Sequence, residues 1–439
     1  MSFSTSGGAS VSRSAHARSP RQYAIVGIAS LIGTTIEWYD FFVYGTAAAL
    51  VFNRIFFPAF DPITGTLAAF GTYAAGFFAR PIGAMVFGHF GDKVGRKSML
   101  LLTLVMMGMP TVLIGVVPTY DKIGYWAAVI LIVMRVIQGI AIGGEYGGAV
   151  LMAVEHAPKG KRGFFGSLPQ AGVAFGLVLS ALAMSAVAKL PEDAMLSYGW
   201  RIPFWASVIL LSVGWFIRLR VAESPDFERV KAQGAQVKAP VVEVMSKHKR
   251  ALLTVAGGRL AEVTWFYTAA TFSLSYATQH LHLSSGTILN AVVWGAAAAL
   301  GTIPIAGWLA DRLQPRVVFG LGCLAICAFA FGFFELLGAS GVGSVYLAML
   351  GALGVVYALL YGPEANLFSA QFPASVRYSG ISLAVQTSGA IGGGLAPVIA
   401  TWLVKLDGGQ TGYLSWYLVA LGLIALVSTG LMRKDEATS

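Results

Sequence analysis

The sequence predicts an all-α membrane protein with twelve transmembrane helices in two six-helix bundles. Three observations predict it. First, hydrophobic residues make up 56% of the 439 residues and charged ones only 11%. The hydrophobic residues fall in runs near the roughly 20 that a helix needs to cross a bilayer. Second, the loop Gly88-His89-Phe90-Gly91-Asp92-Lys93-Val94-Gly95-Arg96-Lys97 has a counterpart half a chain later. That counterpart is Gly307-Trp308-Leu309-Ala310-Asp311-Arg312-Leu313-Gln314-Pro315-Arg316, also set between two apolar runs. A loop duplicated at this spacing marks a duplicated bundle. Third, the longest hydrophilic interruption, 221–250, lies at the midpoint and carries Glu223, Asp226, Glu228, Arg229, Lys231, Lys238, Lys247, Lys249 and Arg250. A closed β-barrel, the other spanning architecture, would show alternating segments of about ten residues, and the sequence has none.

The elements follow in order. Residues 1–20 are rich in Ser and Gly with scattered Arg and no apolar core, so they read as a disordered cytoplasmic tail and not as a cleavable signal peptide. Six spans at about 22–50, 65–90, 98–118, 125–155, 163–188 and 200–220 make the N-terminal bundle, 21–220. The cytoplasmic linker 221–250 follows. Six more spans at about 251–280, 287–311, 317–338, 343–371, 377–404 and 411–432 make the C-terminal bundle, 251–433. Residues 434–439 form a short cytoplasmic tail. The 53 glycines suit helices that approach closely in lipid.

The formal net charge of +10 raises nucleic-acid binding, and the placement of the basic residues argues against it. They occupy the N-terminal tail (Arg13, Arg18, Arg21) and alternate connections: Lys93/Arg96/Lys97, Lys159/Lys161/Arg162, 218–250, Arg312/Arg316, Arg377 and Arg433/Lys434. That is the positive-inside pattern with both termini cytoplasmic. The partner expected from this placement is membrane lipid, with no nucleic acid and a monomer as the working unit.

The halves echo each other beyond the Asp loop. Glu145, in Gly143-Gly144-Glu145, corresponds to Glu364, in Gly362-Pro363-Glu364. Pro158-x-x-x-Arg162 opens span 5 as Pro373-x-x-x-Arg377 opens span 11, and Gln170 and Gln386 follow at related depths. Parallel repeats place a binding site between the bundles near the midplane.

An ionisable side chain in mid-bilayer costs about 2.5–3.5 kcal/mol on insertion scales, so buried charges are the functional candidates. Glu37 and Asp40 fall mid-way along span 1, three residues apart on one helical face. Arg135 lies in span 4, and Arg259 and Glu262 in span 7. A guanidinium matches a carboxylate in a bidentate fork, so Arg135 and Arg259 are the expected substrate anchors. Tyr39, Tyr267 and Gln386 would add stacking or hydrogen bonds, packing being the competing reading for the aromatics. Glu37, Asp40 or Glu262 would carry a coupled proton. The competing reading is an internal ion pair, such as Arg259 with Glu262, that only fixes packing. Asp92, Lys93, Arg96, Lys97, Asp311 and Arg312 would latch the bundles at the cytoplasmic mouth, with Glu145, Glu155 and Glu364 as partners.

Enzymatic chemistry finds no support. No His-Glu metal spacing and no phosphate-cradling Gly-Lys-Ser/Thr motif occurs. Cys323 and Cys327 read as small buried hydrophobes, and Gly392-Gly393-Gly394 lies inside span 11. No metal and no cofactor is expected.

These stretches resemble the major facilitator superfamily. Gly88-x-x-Gly91-Asp92-Lys93-x-Gly95-Arg96-Lys97 is similar to its signature between helices 2 and 3, from which the second copy departs at Gln314-Pro315. Arg135-x-x-Gln138-Gly139 resembles the helix 4 signature, and Glu155-x-x-Pro158-x-x-x-Arg162-Gly163 the one entering helix 5. Within the superfamily, Ile36-Glu37-Trp38-Tyr39-Asp40-Phe41-Phe42, Ala79-Arg80-Pro81-Ile82-Gly83, Gly143-Gly144-Glu145-Tyr146-Gly147-Gly148 and Gly199-Trp200-Arg201-Ile202-Pro203-Phe204 resemble the metabolite:proton symporters. That family carries shikimate, 2-oxoglutarate, citrate and proline/betaine. Arg259-Leu260-x-Glu262 is most similar to the shikimate branch, and the long C-terminal coiled coil of the osmosensory proline/betaine branch is missing. The resemblance implies the major facilitator fold, helices 1, 4 and 7 around a cavity, and the bacterial inner membrane. It implies a proton-coupled symporter that imports a small organic acid anion, such as shikimate or a dicarboxylate, by alternating access. An uncoupled facilitator or exchanger, or a symporter of a zwitterionic osmolyte, remains the alternative.

Overall fold

A computed structural model describes residues 20–60 and 62–433. The expected tails, apart from Pro20, lie outside the described residues. The first half contains α1 (Pro20–Ala47), α2 (Pro62–Val94), α3 (Arg96–Ile114), α4 (Trp126–His156), α5 (Arg162–Val187) and α6 (Ile202–Leu219). The second contains α7 (Lys249–Tyr267), α8 (Ser285–Leu313), α9 (Pro315–Gly338), α10 (Val342–Met349 and Ala358–Ser369), α11 (Arg377–Gly392, resumed at Ala396–Leu406) and α12 (Gly412–Leu431). Among the described residues nine of these spans are long and apolar enough by themselves to cross a membrane. The other three, α1, α2 and α7, carry the polar positions Glu37, Arg80 and Arg259. The chain is a multi-pass helical membrane protein.

The first helix of each half is extended by a π-helical stretch, Ala48–Phe52 after α1 and Thr268–Phe272 after α7, and a third, Leu350–Tyr357, interrupts α10. Such wide turns recur where a helix borders a functional site. Aromatic clusters fill the bundles away from the centre. Trp200 meets Phe52, Phe56 and Phe204 in the first half, and Trp265 meets Phe329 and Phe333 in the second.

Small residues set the approach of α2 to α4. A Cβ on Gly83 would overlap the carbonyl oxygen of Ile140, and one on Gly143 that of Arg80. Glycine at these two positions therefore fixes where Arg80 leaves α2. The halves meet along α2 against α11 and α5 against α8. Between them the linker forms two short helices, Pro225–Ala232 and Pro240–Lys247. Ser224 caps the first of these, its Oγ accepting the Phe227 N–H at 3.3 Å.

Candidate functional site

The basic end of the molecule is closed by carboxylates that cap helices of the opposite half. Asp92, at the end of α2, accepts the N–H groups of Tyr378 (3.3 Å) and Ser379 (2.9 Å) at the head of α11. Asp311, at the end of α8, accepts those of Gly163 (2.6 Å) and Phe164 (2.8 Å) at the head of α5. The first N–H groups of a helix lack internal partners and carry partial positive charge, so a carboxylate belongs there. Gly91 permits the approach, since a Cβ on it would fall within the Tyr378 ring.

An ion network surrounds the first of these caps. Arg96 donates to Glu155 at 2.5 Å, to Ser224 at 2.5 Å and to the Ala374 carbonyl of the other half at 3.3 Å. Arg377 reaches Glu155 at 2.9 Å and Asp226 of the linker at 2.7 Å. Burial pushes the Asp226 carboxyl up, but the Arg377 hydrogen bond and the charges of Arg377, Arg229 and Arg96 outweigh it and hold the group below its ordinary value. Among the described residues the second loop shows no such network. Gln314 stands at φ 81 where Gly95 stands at φ 125, a region that disfavours a side chain. Arg316 turns into its own half, to the carbonyls of Thr429 (2.9 Å) and Gly430 (2.7 Å).

Beyond this closure lies a chamber between the halves. Glu37 and Trp38 of α1, Arg80 of α2, Tyr146 of α4, Gln170 of α5, Arg259 of α7 and Gln386 of α11 line it. Arg259 holds both oxygens of Glu364 at 2.9 Å and Glu262 at 2.5 Å, all through Nη1. Tyr146 also donates to Glu364, and Gln170 donates to the Tyr146 hydroxyl at 3.2 Å. The Tyr146 and Tyr361 rings flank the Arg259 guanidinium at 5.4 and 5.3 Å. Gln386 crosses to the Ile142 carbonyl at 3.1 Å. On the far side of the chamber, aromatic pairs join the halves: Trp38 with Phe266 at 6.4 Å and Phe77 with Tyr267 at 5.7 Å between centroids. The chamber is closed at one end by charge and at the other by apolar rings.

A chamber lined by charged and polar side chains at a pseudo-symmetric interface suits a carrier. A protein-family model, Major Facilitator Superfamily, matches residues 30–397 and 260–438. The chain belongs to the major facilitator superfamily. It is similar to the shikimate transporter of Escherichia coli (strain K12), with 40% identity over 412 residues covering 93% of this chain and 94% of that one. It is 39% identical over 416 residues, with the same coverage, to an inner membrane metabolite transport protein of that strain. A proline/betaine transporter of Salmonella typhimurium is 33% identical over 419 residues, covering 93% of this chain and 83% of its own length. Among solved structures, the proton:xylose symporter XylE superposes with a TM-score of 0.75 at 17% identity, over 93% of this chain and 95% of that one. The outward conformation of FucP does so at 0.69 and 14%, over 94% and 98%. These likenesses establish the twelve-helix, two-bundle fold of a transporter of this superfamily.

The superfamily transporter brings some expected residues together and separates others. Arg259, Glu37 and Gln386 line the chamber, and Glu262 pairs with Arg259 as the i,i+3 spacing allows. Tyr267 closes the chamber's far side. Asp40 does not share the chamber with Glu37. The i,i+3 spacing keeps the two on neighbouring directions of α1, but Asp40 is drawn into the first bundle, where it accepts hydrogen bonds from Thr111 (2.8 Å) and Ser207 (2.6 Å). Arg135 lies in that same bundle, its guanidinium 3.4 Å above the Tyr44 ring, and Tyr39 donates to the Pro203 carbonyl at 2.9 Å. None of the three lines the chamber.

The expected latch set is also redistributed. Asp92, Asp311, Arg96 and Glu155 sit at the junction of the halves. Glu145 instead pairs with Arg218 and accepts from Thr103 at 2.6 Å, within the first half. It lies ten residues deeper along α4 than Glu155, about 15 Å at helical rise. Glu364 belongs to the chamber. Lys97 donates to the Leu219 carbonyl at 2.8 Å, Lys93 is exposed, and Arg312 stacks on Trp308 of its own helix at 5.2 Å. Three residues of the chamber and of the ion pairs around it are not singled out as candidates by the sequence: Arg80, Arg218 and Asp226. Arg80 met the criterion of a charge deep within a span, and its signal was available.

Proposed function

We propose that this transporter is a proton-coupled symporter that imports a small organic acid anion, of the kind shikimate or a dicarboxylate represents, by alternating access. The observation that carries the reading is the composition of the chamber: Arg80 and Arg259 face it together with Glu37. Guanidinium groups in a water-poor site favour an anion. One guanidinium shared by Glu262 and Glu364 leaves one negative charge uncompensated, and a single proton removes it. Glu37 and the Arg259 group are therefore the proton-coupling candidates, with Asp40 set aside in its own hydrogen-bonded cluster. Arg259 and Gln386, which line the chamber, are the substrate-facing candidates, with Tyr267 at its far side.

The basic connections favour a cytoplasmic side for the Asp92 and Asp311 caps and for both termini. The closure seen here is then the cytoplasmic latch, and inward opening requires the caps and the Arg377 bridge to separate. The names of the E. coli relatives, a shikimate transporter and an inner membrane metabolite transport protein, support an inner-membrane importer of metabolites. One chain supplies the whole chamber, which supports a monomer as the working unit.

A second reading has its own support. Glu37 and Arg80 present opposite charges to one space, which suits a zwitterion, and relatives at 33% identity are proline/betaine transporters. The deciding experiment uses purified protein in liposomes with an inward proton gradient and labelled shikimate, benzoate, 2-oxoglutarate, citrate and proline. Accumulation of an acid that collapses on adding a protonophore supports symport of an anion. Accumulation of proline alone supports the zwitterion, and uptake indifferent to the gradient supports a facilitator or exchanger.

A further inference from the structure

Arg80 and Arg259 both face the chamber, but their surroundings differ. Arg259 is already bound by two carboxylates on one nitrogen. The described ion pairs also engage Arg96, Arg218 and Arg377, and none engages Arg80. The residue is only 5% exposed, and its Nε has no hydrogen-bond partner among the described residues. Its close contacts are aromatic: the guanidinium lies 4.1 Å from the Phe77 centroid and 4.9 Å from that of Phe41, with the Tyr267 hydroxyl at its edge and the Glu37 charge within electrostatic reach. Cation–π contact compensates only a small part of what burying a charge costs. It also covers the face of the guanidinium and leaves the edge, where the N–H fork lies, for a carboxylate. The close α2–α4 crossing at Gly83 and Gly143 holds the backbone around Arg80 in place, so the fork is preorganised.

We propose that Arg80 is the anchor for the substrate's carboxylate, and that the chamber selects compact acids with one carboxylate over di- and tricarboxylates. This rests on the organic-anion reading above and narrows it. One cation with no acid in ion-pair contact among the described residues accommodates one carboxylate. A second carboxylate on the same compact body would meet Glu37 or the Glu262–Glu364 pair, and like charges in a dry site repel. The rest of the lining, with Trp38, Tyr146, Gln170 and Gln386, offers ring faces and hydrogen bonds to a neutral hydroxylated body.

The test uses the full chain in liposomes, with shikimate, benzoate, 2-oxoglutarate and citrate as labelled substrates and the methyl ester of the best-transported acid as competitor. The expected wild-type result is transport of a monocarboxylate, with the acid competing at least about tenfold better than its ester. Arg80→Gln is expected to raise KM about tenfold or more and to erase the acid-over-ester preference, with Arg80→Lys intermediate because it keeps charge but loses the fork. A merely structural arginine would leave that preference intact. If Arg80→Gln fails to reach the membrane, Arg80→Lys carries the test, and an unchanged KM and preference there overturn the proposal. Unchanged values in Arg80→Gln overturn it as well. Transport of 2-oxoglutarate or citrate in preference to both monocarboxylates leaves the organic-anion reading standing and overturns the selectivity. If none of the acids is transported, the organic-anion reading falls and this inference with it.

Discussion

Asp92 of α2 accepts the backbone N–H of Ser379 of α11 at 2.9 Å, so the first half of the transporter terminates a helix of the second. Asp311 returns the arrangement on α5. The two caps differ in burial: Asp92 is 3% exposed, and Asp311 is partly exposed. A charge at a helix N-terminus stabilises by about 0.3–1 kcal/mol when exposed and up to about 2 when partly buried. Asp92→Asn is therefore expected to open the basic end more than Asp311→Asn does. The measurement is labelling of a cysteine placed in the chamber by an impermeant thiol reagent from the cytoplasmic side. Equal labelling of the two variants and the wild type would sink the latch.

The Arg377–Asp226 bridge ties the linker to the same closure, and its pH dependence has a definite sign. The Asp226 carboxyl is held below its ordinary 3.8 because the Arg377 hydrogen bond and nearby arginine charges overcome burial. A lowered acid contributes its stabilisation in full above 3.8 and loses it as pH falls through the lowered value. The bridge is thus fully charged at neutral pH and insensitive there, and it weakens only in strong acid. Asp226→Asn should loosen the linker at pH 7 by removing the charge, raising proteolysis within 225–247 severalfold. Wild-type cleavage should be flat between pH 6 and 8; a rise across that window would point to a different titrating group.

Much of the fold was legible because a bilayer punishes polar residues along a whole helix, so spans, linker and duplication are written in composition. The site was legible only in part. The cost of a mid-span charge identifies Glu37, Arg259 and Glu262 without saying which neighbour each faces. Asp40 shares a nominal face with Glu37, yet Thr111 and Ser207 supply its partners from α3 and α6. Arg218 read as a topological charge at a span end. It is 6% exposed and bonded to Glu145, because a long side chain can turn back along its helix. Such choices depend on packing between distant segments, which periodicity in one segment does not encode.

The separation of Asp40 from the chamber makes a prediction of its own. Asp40→Ala leaves the Ser207 hydroxyl without its Asp40 acceptor inside the bundle, while Thr111 keeps the Met107 carbonyl at 3.0 Å, at a cost of about 1–3 kcal/mol for a buried group. Thermal unfolding in detergent should shift down by several degrees while the KM for substrate stays within about twofold, as expected for a residue outside the binding site. A large rise in KM with an unchanged melting temperature would return Asp40 to the substrate path.

Glu37 should behave in the opposite way. It lines the chamber with Arg80 and Arg259, and an incoming carboxylate adds a negative charge to that space. A proton on Glu37 restores the balance, which links binding of the anion to binding of the proton. Glu37→Gln fixes the neutral form, so the anion still binds and crosses, but no proton needs to leave for the carrier to reset. The variant should exchange labelled for unlabelled substrate across liposomes at a rate near wild type and lose accumulation driven by a proton gradient. Measuring both in the same preparation separates coupling from folding, since a misfolded variant fails in exchange too. Accumulation that survives in Glu37→Gln would move the coupled proton to the Glu262–Glu364 pair around Arg259, where Glu262→Gln is the next variant to measure.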